Sequence, residues 1–135
     1  MAGISKTKGV ELVMQFQKSV NTDKFIEYLK QIRYRNPFDR IAIFMDRLSV
    51  HTCRRSKEKM AFLKIEAVYN ASYSPEFNPI ETVFSLVKRN IKTERLKLII
   101  KNEEEDLNTM TTNEFNQIKK DTCVNLIRNS SNKLK

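Results

Sequence analysis

A run of five apolar residues, Ile41–Met45, most constrains what this chain can fold into. The run follows a break at Pro37 and ends at Asp46. A short apolar run between two turn signals predicts a strand that is buried on both faces. Segments with helical spacing of apolar residues lie before and after it. Alternation of strands with helices is typical of an α/β domain, which is therefore the predicted fold class.

Two further strands are predicted on either side of this run. Strict alternation of apolar residues predicts a half-buried strand over residues 9–17, and the same pattern predicts a short strand at Ile65–Tyr69. One helix is expected to begin with Thr22 as its N-cap and to run to about residue 34. A second helix is expected over residues 54–63.

The last part of the sequence is predicted to be helical. Pro79 suits the first position of a helix because its φ is already fixed, and apolar residues recur at helical intervals past Arg95. Four consecutive acidic residues at positions 103–106 predict a solvated linker. A final amphipathic helix is expected after Thr111 or Thr112.

Length and composition exclude several classes of protein. A chain of 135 residues with two glycines and three prolines fits one globular domain, and it is neither collagen-like nor of low complexity. Cys53 and Cys123 lack metal-ligand spacing, which argues against a disulfide scaffold and a zinc site. No apolar run approaches the roughly 20 residues of a membrane span, and a signal-peptide core is absent from the N-terminus, so we expect an intracellular protein. We expect one domain at residues 1–100, followed at 101–135 by the acidic linker and a helix.

The charge balance points to a polyanionic partner. Lysine and arginine total 25 against 16 acidic residues, which gives a net charge of +9. Nucleic acid is the first candidate for such a partner, although an AT-rich coding sequence also enriches lysine without functional pressure. Two basic helical stretches are either phosphate contacts or ordinary solvated faces. Their candidate DNA-binding residues are Arg54, Arg55, Lys88, Arg89 and Lys92.

Two carboxylates have surroundings that suit a metal ion. Asp46 follows a strand, and residues at strand ends in α/β sheets lie where ligands bind. Glu81 falls in the first turn of a predicted helix, where the helix dipole favours a carboxylate. Oxygen ligands suit Mg²⁺ or Mn²⁺, and such ions support attack on a phosphodiester. The alternative is structural: Asp46 as a turn residue and Glu81 as a group that only compensates the dipole.

Two sequence blocks contain these carboxylates. One reads FMDRLSVH over residues 44–51, and the other reads YSPEFNPIE over residues 73–81, with Phe84 three positions beyond. Asp46 and Glu81 are separated by 34 residues, positions 47–80. In these blocks and in this spacing, the chain resembles the C-terminal half of the catalytic domain of mariner-like DDE transposases. The resemblance extends over roughly residues 9–95.

The resemblance implies an RNase H-like fold and an activity, namely cleavage and joining of transposon-end DNA with Mg²⁺ or Mn²⁺. It implies that Asp46 is the second catalytic carboxylate and Glu81 the third, so that both are metal ligands. It also places His51 at the border of the active site, where we count it among the candidate DNA-binding residues. The residues that would aim Glu81 are Pro75, Asn78 and Pro79.

The chain departs from the family pattern in its first part. The family's first catalytic Asp ends a strand upstream of the segment that resembles residues 9–17, and we expect this Asp and the first strands of the sheet to be missing. The predicted fold is therefore a truncated RNase H-like domain with C-terminal helices. The strands at 9–17 and Ile41–Met45 then pair directly, leave an apolar edge exposed, or borrow a strand from a second copy or a partner. Arg47 replaces a small polar residue and could compete with a metal at Asp46, while Phe84 replaces the usual tryptophan.

Three hypotheses about function remain open at this point. The leading one is a truncated transposase that acts on DNA, has little or no strand-transfer activity by itself, and by resemblance is located in the nucleus. The second is a non-catalytic DNA- or partner-binding module derived from a transposase. The third is the product of a pseudogene-like reading frame without a role.

Overall fold

The computed structural model describes residues 1–70 and 78–133, and the chain divides into two compact units. Unit 1 comprises Met1 and Phe16–Asn78, and unit 2 comprises Ala2–Gln15 and Pro79–Lys135. Within the described residues, each unit contains one two-stranded sheet and three helices. In chain order the elements are β1 (Ala2–Ser5), β2 (Gly9–Val13), α1 (Thr22–Arg35), β3 (Ile41–Met45), α2 (Ser49–Thr52), α3 (Arg54–Phe62), β4 (Ile65–Tyr69), α4 (Pro79–Lys101), α5 (Leu107–Gln117) and α6 (Lys120–Lys133).

The sheet of unit 1 consists of β3 and β4, which pair in parallel. The register runs from Ile41 opposite Ile65 to Met45 opposite Tyr69, and both strands have the bounds that the sequence predicts. Since the carboxyl ends of parallel strands meet at one edge of a sheet, the residues that follow β3 and β4 are neighbours. The backbone N–H of Asn70 donates to the carbonyl of Met45 at 2.8 Å.

One face of this sheet forms the core of unit 1. Phe25 and Leu29 of α1 pack with Met45, Met60 and Ile65, all of them buried. The prediction that β3 is buried on both faces is wrong, because Ala42 is exposed. The buried cluster lies on only one face of the sheet. Ala42 and the other alternate residues of β3 and β4 are on the opposite face, outside this cluster. Val68, two positions after Glu66 on that face, is also exposed.

The N-cap of helix α1 is Asn21, one residue before the predicted N-cap. The side chain of Asn21, not Thr22, accepts the N–H of Lys24 at 3.0 Å. Near the other end of the helix, the guanidinium of Arg33 connects several loops of unit 1 through hydrogen bonds. It donates to four backbone carbonyl oxygens at 2.8–3.0 Å, those of Leu63, Asn36, Asp39 and Lys64.

The sheet of unit 2 pairs β2 with an N-terminal strand that the sequence analysis does not predict. β1 runs antiparallel to β2, with an irregularity between Gly3 and Ile4. β2 itself ends at Val13, four residues before the predicted end of the strand. The expectation that this strand pairs directly with Ile41–Met45 is not met in the described residues, because β1 is the partner of β2.

The helices of unit 2 bury a second cluster. Val83 and Val87 of α4 pack with Phe115 of α5, and Phe84 meets the Phe115 ring edge-on with 6.0 Å between centroids. The prediction of one long helix from Pro79 past Arg95 is confirmed. The prediction of a single final helix is wrong: α5 ends at Gln117 and α6 begins at Lys120, because Ile118 has an extended ψ of 113°.

The linker between α4 and α5 is solvated, as the sequence predicts. Residues 103–106 are exposed. Asn102 ends α4 with a positive φ of 54°, and Asp106 caps α5 by accepting the N–H of Thr109 at 3.0 Å. The acidic run therefore contributes a helix cap in addition to its charge.

Gly9 is a position where only glycine fits. Its φ is +80°, and a Cβ added there would lie 2.9 Å from the Cα of Lys120. Gly9→Ala should therefore lower the free energy of unfolding by about 1–3 kcal/mol, from the left-handed backbone together with the close approach of α6. Urea unfolding followed by circular dichroism measures this loss. Gly3→Ala is the matched control, since Gly3 does not share the positive φ, and an equal loss in both variants would contradict the assignment.

Candidate functional site

Asp46 occupies the carboxyl edge of the unit 1 sheet, directly after β3. Its side chain is 47% exposed, yet the Oδ1 atom is buried. Oδ1 lies 2.7 Å from Nδ1 of His51. This contact does not count as a hydrogen bond, and among the described residues Oδ1 has no hydrogen-bond partner. Asp46 thus has one buried oxygen, Oδ1, next to a ring nitrogen, while another part of its side chain faces solvent.

His51 is brought to Asp46 by the single turn of α2. Its Nδ1 also lies 3.3 Å from the Asp46 carbonyl oxygen, so this nitrogen is next to two oxygens of the same residue. The imidazole is 14% exposed and packs against the Phe25 ring, with 4.5 Å between centroids. The Tyr69 hydroxyl donates to the His51 carbonyl at 3.1 Å. The structure therefore makes His51 a neighbour of the carboxylate and a largely enclosed side chain.

Phe25 and Tyr69 are supporting residues that the sequence analysis does not single out. The sequence pattern predicts Phe25 only as a helix core residue, and Tyr69 only as the end of a strand. A signal for Tyr69 is present in the sequence, because it ends β4 as Met45 ends β3. Register then places the two strand ends side by side at the edge that carries Asp46.

The contacts that the described residues show for Arg47 are with Asn70 and Tyr69, and none is with the Asp46 side chain. Its Nε donates to the carbonyl of Asn70 at 3.3 Å, and its guanidinium carbon lies 5.8 Å from the centre of the Tyr69 ring. The expected competition between Arg47 and a cation is therefore not supported by the observed contacts. The arginine is held by β4 and the residue that follows it.

Glu81 belongs to unit 2 and lies in the first turn of α4. Its side chain is exposed, and its backbone carbonyl accepts the Ser85 hydroxyl at 3.0 Å. Pro79 is the first residue of the helix, as predicted. Residues 73–77 of the second sequence block, including Pro75, lie outside the described residues. A carboxylate in the first turn of a helix interacts favourably with the helix dipole.

The donor set at Asp46 fits a divalent cation that prefers oxygen ligands. A buried carboxylate oxygen without a well-directed donor, on a side chain whose other part faces solvent, is what Mg²⁺ or Mn²⁺ would complete. Within residues 1–70 and 78–133, no group of three or more His, Cys, Asp and Glu side chains is arranged to hold a metal ion. Asp46 alone therefore offers a partial site in unit 1.

The candidate DNA-binding residues differ in the ion pairs that they form. Arg54 pairs with Glu58 at 2.7 Å, and Arg55 pairs with Asp23 at 2.7 Å, both on the surface of unit 1. In unit 2, three exposed side chains of α4 are Lys88, Arg89 and Lys92. Such surface pairs are weak, and they partly neutralise the charges of Arg54 and Arg55.

The two cysteines are free and have opposite environments. Cys53 is partly exposed, and its hydrogen bond with the Ser56 side chain, 3.2 Å away, lowers the pKa of its thiol. Cys123 is fully buried in α6, and burial raises the pKa of its thiol. Only Cys53 has the thiolate character that makes a cysteine reactive.

Comparison with known proteins identifies the family. The family profile described as DDE superfamily endonuclease matches residues 1–103, about three quarters of the chain. The chain belongs to the DDE superfamily endonucleases. This DDE endonuclease chain is matched from its first residue, so the family likeness begins eight residues earlier than the roughly 9–95 that the sequence motifs indicate. No curated protein sequence matches the chain.

Solved structures give the fold of this DDE endonuclease chain. The crystal structure of the catalytic domain of Mos1 mariner transposase is similar at a TM-score of 0.62 and 15% identity, covering 89% of this chain and 62% of that one. The structure of the same catalytic domain with raltegravir and Mn has a TM-score of 0.62 at 15% identity, covering 89% and 64%. The structure with raltegravir and Mg has a TM-score of 0.53 at 14% identity, covering 90% and 70%.

The predicted α/β, RNase H-like fold and the mariner-like resemblance are confirmed by these matches. The chain spans less than two thirds of the length of the first two structures. None of the helices in the described residues has the length and apolar character that crossing a membrane requires.

Proposed function

We propose that this chain is the part of a transposase catalytic domain that supplies the second and third metal-binding carboxylates, Asp46 and Glu81. The observation that carries the proposal is the Asp46 carboxylate at the sheet edge, with a buried Oδ1 held 2.7 Å from His51 and an open side. The family profile supports it because its match, residues 1–103, includes both carboxylates, and the Mn and Mg of the similar Mos1 structures support it as well.

The two carboxylates would hold Mg²⁺ or Mn²⁺ for cleavage and joining of transposon-end DNA. When bound, such ions stabilise the attacking and leaving oxygens at a phosphodiester. The protein's own part is to fix the Asp46 carboxylate through α2 and to place Glu81 in the first turn of α4. The polypeptide of 135 residues should have little or no strand-transfer activity alone. Two carboxylates hold a cation less well than three, and misplacement by about 1 Å costs on the order of a hundredfold in rate.

We further propose that a partner, or a second copy, supplies additional strands for the sheet. We propose that the chain acts in the nucleus, where the DNA substrate of such a transposase would lie. This location rests only on the family likeness.

Metal binding tests the proposed function directly. In a titration with Mn²⁺ followed by electron paramagnetic resonance, we expect Asp46→Asn and Glu81→Gln each to weaken binding at least about tenfold, because each removes one anionic ligand. The matched controls are Asp39→Asn and Glu103→Gln, which remove exposed carboxylates outside the family motifs and should leave binding unchanged. Equal binding by all four variants would refute the assignment of the ligands.

A cleavage assay on labelled transposon-end DNA tests the expected inactivity. The chain alone, with Mg²⁺ or Mn²⁺, should give little or no product. Robust cleavage that Glu81→Gln abolishes would overturn the inactivity and at the same time establish Glu81 as catalytic.

A non-catalytic DNA-binding module is the second candidate function. It is favoured by the exposed Lys88, Arg89 and Lys92 on one helix and by the net charge of +9. This function predicts DNA binding that weakens with salt and survives both Asp46→Asn and Glu81→Gln. Binding that is lost in the carboxylate variants would instead favour the catalytic assignment.

A further inference from the structure

The C-terminal end of α4 exposes a patch of large apolar side chains. Leu96, Ile99 and Ile100 are 55%, 67% and 83% exposed. Their spacing of three and four residues puts them on one face of the helix, which we call the α4 apolar face. Leu107, shortly after the helix, is also more than half exposed. Single exposed apolar residues are ordinary, but a cluster of this kind marks an interaction surface.

This face is not part of the core of unit 2. Val83 and Val87 define the buried side of α4. At about 100° per residue, the centre of Leu96, Ile99 and Ile100 falls on the opposite side of the helix from those two valines. α4 therefore has two apolar sides, one used within unit 2 and one directed to solvent.

Charges of opposite sign flank the α4 apolar face along the chain. Arg89 and Lys92 precede it on the same side of the helix, and both are exposed. The exposed acidic run at 103–106 follows it. A surface with a basic end, an apolar middle and an acidic end is complementary to itself when one copy is turned end for end.

We propose that the α4 apolar face packs against the same face of a second copy of this chain, with the two helices antiparallel. A two-fold axis near position 98 would bring the C-terminal end of α4, with the acidic run that follows it, toward the Arg89 and Lys92 end of the other copy. Each acidic run then lies beside the Arg89 and Lys92 of its partner copy, and the apolar residues meet in the middle. Such an isologous contact uses one surface twice, as two-fold dimers do. An unrelated apolar partner would not need this order of charges.

The dimer is expected to be weak. Three apolar side chains from each copy make a patch below the standard size of a stable protein interface. We expect a dissociation constant on the order of 100 μM, because small interfaces only just outweigh the entropic cost of association. Salt should weaken it further by screening the charge pairs.

Sedimentation equilibrium over a wide concentration range tests the contact. The chain should pass from monomer to dimer as its concentration rises, and Ile100→Glu should raise the dissociation constant at least about tenfold, since two charges would be buried at the axis. Phe38→Ser is the matched control: Phe38 is 99% exposed but belongs to unit 1, so this variant should dimerise as the original chain does. Circular dichroism checks that both variants remain folded.

A charge exchange tests the antiparallel orientation. Lys92→Glu and Glu104→Lys should each weaken the dimer about threefold, and the double variant should recover the original dissociation constant because the pair is restored with reversed signs. A monomer at all concentrations, a dimer unaffected by Ile100→Glu, or a double variant weaker than both single variants would overturn the proposal. The proposal does not rest on the metal site, so loss of Mn²⁺ binding in the carboxylate variants leaves it untouched.

Discussion

Replacing His51 with alanine should weaken Mn²⁺ binding at Asp46 by about ten- to a hundredfold. Nδ1 of His51 lies 2.7 Å from Oδ1 of Asp46, and the imidazole is itself held by the Phe25 ring and, through its backbone, by the Tyr69 hydroxyl. Without the imidazole, Oδ1 loses the side chain that confines it on one side, so more of the binding free energy is spent on fixing the carboxylate. We therefore interpret His51 as a positioning residue for the proposed metal ligand.

The conservative variant His51→Asn separates positioning from simple packing. Its side-chain N–H can approach the position of the ring Nδ1, so we expect it to recover most of the Mn²⁺ affinity, although it does not restore the contact with Phe25. Thr52→Ala, at a neighbouring position of the same short helix, is the control for changes in α2. If His51→Ala and the original chain bind Mn²⁺ equally while both are folded, Asp46 does not depend on His51.

Iodoacetamide should modify Cys53 about a thousandfold faster than Cys123 in the folded protein. The thiol of Cys53 is partly exposed, and its lowered pKa increases the reactive thiolate, whereas Cys123 is completely buried with a raised pKa. Cys123 reacts only when its surroundings open. A factor of about a thousand corresponds to an opening free energy of about 4 kcal/mol, within the range of native-state openings.

Peptide mass spectrometry after timed labelling measures both rates in one sample. In urea the two rates should become similar, because neither thiol is then protected by structure. Cys53→Ser should leave a folded protein that reacts only slowly. Equally fast labelling of both cysteines under native conditions would contradict the burial of α6 in unit 2.

The elements that the sequence predicts well are those with local signals. β3 lies between two turn signals, β4 has strict alternation, and α4 begins at Pro79, so each is predicted close to its observed bounds. The family resemblance rests on continuous motifs, which is why the amino-acid sequence is sufficient to select Asp46 and Glu81. Their roles as ligands of a common ion stay a prediction.

The features that the sequence does not predict depend on contacts with other segments of the chain or on small differences in local energy. β1 has only four residues and is a strand because it pairs with β2. The exposure of Ala42 depends on which face of the sheet the helices cover. The break between α5 and α6 lies at Ile118, which carries no proline or glycine signal. The contact of His51 with Phe25 joins α2 to α1 and has no counterpart in the pattern of either segment.

The two units place different demands on the order in which the polypeptide is made. Apart from Met1, unit 1 is one continuous stretch, so all of its helices and strands are synthesised before α4. Unit 2 joins Ala2–Gln15 to Pro79–Lys135, and the helices that pack against β1 and β2, beginning with α4, are synthesised only after unit 1. These helices therefore cannot cover the apolar side chains of the β1–β2 hairpin while unit 1 is being made. During synthesis, this is the interval in which chaperones or a premature pairing with another nascent chain would intervene.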